Sequence, residues 1–127
     1  MDPRVPVRTV LADDEPAVLD ALVGLFASAV HMEIVATAAS GDELVHAINE
    51  HAPELVVTDV YMPGGGEAMF ERIGALNPRP IVIAVSGMAS PTLRRALTRT
   101  GADRLLHKGV DNPLAIADEM LAARSAD

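Results

Sequence analysis

Two stretches of this chain, Leu-Val-Val-Thr-Asp-Val at 55–60 and Ile-Val-Ile-Ala-Val-Ser at 81–86, are apolar and β-branched almost without a break. A strand with one wet face alternates apolar and polar residues. A near-continuous apolar run belongs to a strand covered on both faces, as in a parallel sheet sandwiched between helices. Shorter apolar runs at 7–12, 34–38 and 104–107 bring the number of predicted strands to five.

Helix signals separate the runs. Pro16, Pro91 and Pro113 each follow a residue able to open a helix (Glu15, Ser90 and Asn112), which suits proline at a first helical position. Ser40 to Glu43 reads as a capping box ahead of Leu44, Val45 and Ile48. A fourth helix places Leu93, Ala96, Leu97 and Thr100 on one face, with Gly101 as its stop. The third helix must start after Pro63-Gly-Gly-Gly66 and carries Gly74 near its end. A β-α unit repeated five times predicts an α/β fold: an open five-stranded parallel sheet with right-handed crossovers, helices on both faces and strand order 2-1-3-4-5. Ligands of such sheets bind beyond the carboxyl ends of the strands, where the order reverses.

Composition narrows the function. With 127 residues, half of them hydrophobic, the chain suits one domain, 1–127, with a real core. A formal charge of −8 argues against phosphate-backbone binding, and three aromatic residues make no base-stacking platform. The absence of cysteine excludes disulfides, zinc thiolates and thiol nucleophiles. The uncharged stretch 21–32 is too short to span a bilayer and too far in for a signal peptide, so no membrane association and a cytoplasmic location are expected.

The polar residues fall where the fold rule places ligands. Predicted strand one ends in Asp13 and Asp14, strand three in Asp59, strand four in Ser86 and Gly87, and strand five in Lys108. In the order 2-1-3-4-5 these strands are neighbours, so three carboxylates, a hydroxyl and an ammonium share one rim. Two like charges ~4 Å apart repel by about 4 kcal/mol at an effective dielectric of 20, and the cluster therefore calls for a counter-charge. An all-oxygen donor set with room for water suits Mg²⁺. A carboxylate beside such an ion can attack phosphorus and form an aspartyl phosphate, with cations on the equatorial oxygens. Lys108, the only Lys among ten cations, is placed to be one of them.

The motifs LADDEP, VVTDVYMP, VSG and LLHKG, in this order and at these separations, resemble the receiver domain of two-component response regulators across nearly the whole chain. Lys-Gly-Val at 108–110 is similar to the LuxR/NarL-like branch, which often carries a helix-turn-helix output domain and controls transcription. The resemblance implies that Asp59 accepts phosphate from a histidine kinase or phosphotransfer protein. It implies Mg²⁺ held by the side chains of Asp14 and Asp59, by Asp13 through water or from behind the direct ligands, and by the backbone carbonyl of Tyr61. Ser86 and Lys108 would contact the phosphoryl group, and Ser86 would take part in the switch. Such a domain catalyses only its own phosphorylation and dephosphorylation; it is not an enzyme turning over a free substrate.

Three positions depart from that pattern. Receivers commonly carry Tyr or Phe three residues before the Lys, where this chain has Leu105, which puts the usual switch in doubt. The bond after the Lys is often a cis proline bond. Gly109 stands there, and a cis non-proline bond costs about 2.5–4 kcal/mol, so a trans bond is predicted. The loop after Pro63 is one residue short and has three glycines, which suggests positive φ angles and a mobile loop.

Blander roles compete at several positions. Asp13 and Asp14 also suit a helix cap. His31, His46, His51 and His107 show no metal-binding spacing. The three glycines are no P-loop, since Gly-Lys-Ser/Thr does not follow. Arg94, Arg95 and Arg99 form a basic patch on the fourth helix: either a solvated face or a docking surface for a partner or for a homodimer mate. A degenerate receiver that binds proteins without phosphorylation is a second reading. A hydrolase of the aspartyl-phosphate type is a third, though Tyr61 stands where such enzymes need a further acid.

Overall fold

A computed structural model describes residues 5–125; the expected domain limits at 1 and 127 lie outside the described residues. Strands β1 (Val7–Ala12), β2 (Met32–Ala38), β3 (Leu55–Asp59), β4 (Ile81–Ser86) and β5 (Arg104–His107) form one parallel sheet in the order β2-β1-β3-β4-β5. Helices α1 (Pro16–Ala27), α2 (Gly41–His51), α3 (Glu67–Gly74), α4 (Pro91–Thr98) and α5 (Pro113–Ser125) alternate with them. Both the five β-α units and the strand order match the sequence expectation.

The strands behave as their composition requires. All five residues of β3 are buried, because helices cover both of its faces. Val10, Val56, Val82 and Leu105 point to the side of α2, α3 and α4, whereas Leu11, Val57, Ile83 and Leu106 point to the side of α1 and α5. β2 starts two residues earlier than expected, since Met32 pairs with Val7, and an irregularity between Thr9 and Val10 absorbs one extra residue.

Local chemistry starts each helix. The Ser40 hydroxyl accepts from the Glu43 amide, and the Glu43 carboxylate accepts from the Ala39 amide, close to the expected capping box. Ser90 caps α4 through the Leu93 amide, and the Asn112 side chain accepts from Leu114 and Ala115. Pro16 opens α1, but Glu15 gives no side-chain cap. Gly101 differs from expectation: α4 ends in a right-handed turn at Arg99, without a left-handed residue. A side chain at Gly101 would overlap the Phe70 carbonyl, and one at Gly74 would lie 2.5 Å from the Thr100 carbonyl oxygen. These glycines let the ends of α3 and α4 touch.

Candidate phosphoacceptor site at the carboxyl edge of the sheet

β1, β3, β4 and β5 deliver their last residues to one rim. Thr58 of β3 pairs with Ala12 of β1, Asp59 with Val85 of β4, and Ser86 with His107 of β5. Asp13, Asp14 and Lys108 lie one or two residues beyond these pairs. The chain is pinned there by backbone bonds from the Asp13 amide to Ala38, the Val60 amide to Val85 and the Lys108 amide to Ser86, at 2.8–3.1 Å.

The predicted cluster forms. Asp13, Asp14 and Asp59 each present a carboxylate oxygen within 4.8 Å of the others, and Asp13 and Asp59 are buried whereas Asp14 is exposed. Lys108 Nζ stands 2.9 Å from Asp13 Oδ2 and 3.6 Å from Asp59 Oδ1. Burial, and then the Asp13 charge, push the Asp59 carboxyl above its ordinary value; Lys108 opposes them only in part. Burial alone would lower the Lys108 ammonium. The Asp13 hydrogen bond and the Asp59 charge outweigh it and raise the group, so Lys108 is cationic at neutral pH. Three carboxylates face one ammonium, and a dication would bring this set to neutrality.

Neither member of the acidic pair caps α1: Glu15 stands at the N-cap position, and no side chain among the described residues bonds the first free amides of the helix. Asp13 Oδ1 accepts from the Glu15 amide at 2.9 Å at the entrance to α1, while Oδ2 faces Lys108. Ser86 is buried, and its hydroxyl oxygen accepts from the Met88 amide at 3.1 Å, which leaves its proton free to donate.

The loop from Val60 to Gly66 is held by hydrogen bonds, contrary to the mobility its glycines suggested. The Gly65 amide bonds the Met62 carbonyl, Gly66 bonds Val60, and the Gly41 amide of α2 bonds Pro63, all at 2.7–2.8 Å. Gly64 and Gly66 do take positive φ, 73° and 80°. Three of four successive carbonyls are thereby occupied. Among the described residues no amide is bonded to the fourth, that of Tyr61, in the loop that borders an open hollow with Asp14. The donor set of carboxylates plus one free carbonyl suits a hard cation that keeps some of its water.

Other expectations resolve plainly. The Lys108–Gly109 bond is trans, since Asn77–Pro78 is the cis bond among the described residues, and Gly109 takes a φ of 79°. Leu105 is buried in the core with Ala84, Leu97 and Ala102 and does not reach the rim. Arg94, Arg95 and Arg99 are exposed, and no ion pair involves them among the described residues. His31 pairs with Asp118 and His46 with Glu50, away from the cluster. No helix among the described residues is long and apolar enough to cross a membrane.

Two buried carboxylates, an exposed one and a lysine thus meet at the switch point of a five-stranded parallel sheet, where ligands of open α/β sheets bind. The chain belongs to the response regulator receiver domain family, which matches residues 9–118. It is 40% identical over 82 residues to a protein-glutamate methylesterase/protein-glutamine glutaminase of Geobacter metallireducens, covering 64% of this chain and 23% of that protein. It is 28% identical over 103 residues to the transcriptional regulatory protein YesN of Bacillus subtilis, covering 80% and 28% respectively. The chain thus spans about a quarter of the length of these relatives. Among solved structures, a LuxR-family response regulator from Aurantimonas superposes with a TM-score of 0.83 at 25% identity, covering 93% of this chain and 86% of the other. The receiver domain of NarL from Mycobacterium tuberculosis gives 0.82 at 22% identity and covers 97% and 99%.

Proposed function

We propose that this chain is one phosphorylatable receiver domain, 1–127, that takes a phosphoryl group from a histidine kinase or phosphotransfer protein onto Asp59 in the presence of Mg²⁺. The observation that supports it best is the single cluster of Asp13, Asp14 and Asp59 with Lys108 against two of its members. Asp13, Asp14, Asp59 and the Tyr61 carbonyl are the groups to hold the ion. When bound, it supplies positive charge to the phosphoryl oxygens. An Asp59 carboxylate oxygen forms the new P–O bond as the P–N bond to the donor imidazole breaks. The imidazole keeps that electron pair and takes a proton from water. Lys108 places its point charge on the phosphoryl oxygens and leaves Asp13 to do so. Ser86 donates its free hydroxyl proton to the same group.

Phosphorylation then shifts an existing equilibrium by its differential interaction with the two states. Ser86 carries that difference to the loop before α4 through its bond with Met88. The exposed Arg94, Arg95 and Arg99 are the surface proposed for an output domain, a partner protein or a homodimer mate. Transcription control would run through an output domain outside this chain, since a segment of charge −8 does not suit DNA. The site works in the cytoplasm and catalyses only its own phosphorylation and dephosphorylation.

Mass spectrometry after incubation with acetyl phosphate and Mg²⁺ tests this reading. One added phosphoryl group, absent from Asp59→Asn, is expected; no gain in mass overturns it. The buried Leu105, which cannot swing as an aromatic ring would, favours a second reading, a phosphate-independent interaction module. Mg²⁺-dependent beryllofluoride binding, lost in Asp59→Asn, rejects that alternative.

A further inference from the structure

The loop that carries Tyr61 does not hold itself in place alone. Its Pro63 carbonyl accepts the amide of Gly41, the first residue of α2, at 2.7 Å. A side chain on Gly41 would overlap the backbone carbonyl of Gly64. Gly65 is equally constrained, since its Cβ would lie 2.6 Å from the Val60 oxygen and 2.8 Å from the Met62 oxygen. Arg72 of α3 closes the arrangement from the other end of the loop with a 3.0 Å bond to Asp42, the residue after Gly41. The loop therefore serves as part of the amino-terminal cap of α2, and α2 in return fixes the loop.

We infer that Gly41 is a positioning residue for the site: by lacking a side chain it lets the 63–64 backbone dock on α2, and this docking holds in place the loop whose Tyr61 carbonyl accepts no amide among the described residues and which borders the hollow with Asp14. The inference rests on the functional reading above, because it assigns that carbonyl to a divalent cation. Gly41 touches neither ion nor phosphoryl group. It acts through the loop, as the outer partners of metal ligands do. A one-residue shortening of the loop fits this geometry, since a tight turn with three glycines brings backbone against backbone.

Tyr61 is the only tyrosine and there is no tryptophan, so tyrosine fluorescence reports on this loop. Mg²⁺ titration of the wild type, Gly41→Ala and Gly24→Ala tests the inference. A methyl group at Gly24 meets nothing within 4 Å, so that variant should titrate like the wild type. Gly41→Ala should keep the far-ultraviolet circular dichroism of the fold and lose about tenfold or more in Mg²⁺ affinity. Wild-type affinity in Gly41→Ala overturns the inference. Because Gly41→Ala could also fail to fold, a second measurement uses the wild type alone: amide hydrogen exchange at Gly41 with and without Mg²⁺. If docking and ion binding are coupled, the coupling is reciprocal, and Mg²⁺ slows exchange at Gly41. Unchanged exchange at Gly41 overturns the inference while Mg²⁺ binding itself still stands. A wild type that binds no Mg²⁺ removes the functional reading and this inference together.

Discussion

The two sides of the sheet are packed differently. On one side α2, α3 and α4 bury Leu44, Val45, Ile48, Met69, Phe70, Ile73 and Leu97, and glycines bring their ends into backbone contact with neighbouring segments. On the other side Phe26 is the one buried residue of α1, while Leu19, Leu22, Val23 and Leu25 are only partly covered. A half-open groove of about 430 Å³ runs along α1, lined by Ala17, Ala21, Leu22, Leu25, Val85 and Pro113, and ends at Asp59 and Lys108. Small residues at 17 and 21 leave that space unfilled. The site straddles the boundary: the loop with Tyr61 belongs to the tight side, and Lys108 stands at the mouth of the open one. A tight loop beside a roomy ammonium suits a site that must hold one group still and let the other move to an incoming phosphoryl group.

The largest test of this contrast is a pair of truncations. Phe70→Ala removes a fully buried ring and should cost about 3–5 kcal/mol. Leu22→Ala removes a half-buried side chain beside existing empty space and should cost only ~1 kcal/mol. Urea denaturation measures both, and equal losses would erase the distinction.

Next in size is the charge at the boundary. The Asp59 carboxyl is raised above its unfolded value by burial and by Asp13. A group raised in this way contributes its stability below the unfolded pKa, about 4, and loses it as pH rises through the folded one. Ionised Asp59 therefore strains the metal-free protein at neutral pH. Asp59→Asn should raise Tm by about 4 °C at pH 7 without Mg²⁺, as ~1 kcal/mol does at this chain length. The difference should close as the pH falls below 4. Calorimetry across pH checks it, and an Asp59→Asn protein less stable at pH 7 refutes the charge argument. Adding Mg²⁺ should stabilise the wild type and not the variant.

A smaller gain is expected from filling the groove. Ala21→Leu places a side chain in the space along α1 and should stabilise by about 0.5–2 kcal/mol. If the open groove gives Lys108 room to move, the same variant should slow phosphorylation by acetyl phosphate. Unchanged rates would mean that the groove has no part in the site.

How much of this was legible from the residues depends on whether a feature is local. The strands and their order were, because runs such as 55–60 and 81–86 carry their burial in their own composition. The acidic rim was, because strand ends converge once the order is known. The glycines were not. Gly101 reads as a helix stop, and its actual reason is the Phe70 carbonyl, thirty-one positions earlier. Gly64–Gly66 reads as a mobile loop, and its order comes from Gly41 across the fold. What a missing side chain permits is set by the partner that fills the space, and nothing local in the sequence names that partner. The groove beside α1 was hidden for the same reason: Ala17 and Ala21 are good helix formers, and only the approach of Val85, Gly109 and Pro113 from other parts of the chain makes a space for them to line.

The smallest expected effect concerns how α5 is held on the open side. His31, just before β2, bonds Asp118 of α5 at 2.7 Å, and this is the one side-chain hydrogen bond joining those segments among the described residues. Both side chains are close to half exposed, at 46% and 47%, so solvent screens the pair, and exposed pairs contribute about 0.2–1 kcal/mol. Asp118→Ala should therefore lower stability by no more than that. Its effect on motion should exceed its effect on stability, because Ala117 and Leu121 are the only buried residues that α5 offers to the core among its described side chains. Hydrogen exchange should quicken in α5 in this variant and stay unchanged in α2 and α3, which buried side chains, backbone contacts and the Arg72–Asp42 pair hold independently of Asp118. Equal acceleration on both sides of the sheet would show that the two sides share one cooperative unit, and the packing contrast would then have no dynamic consequence.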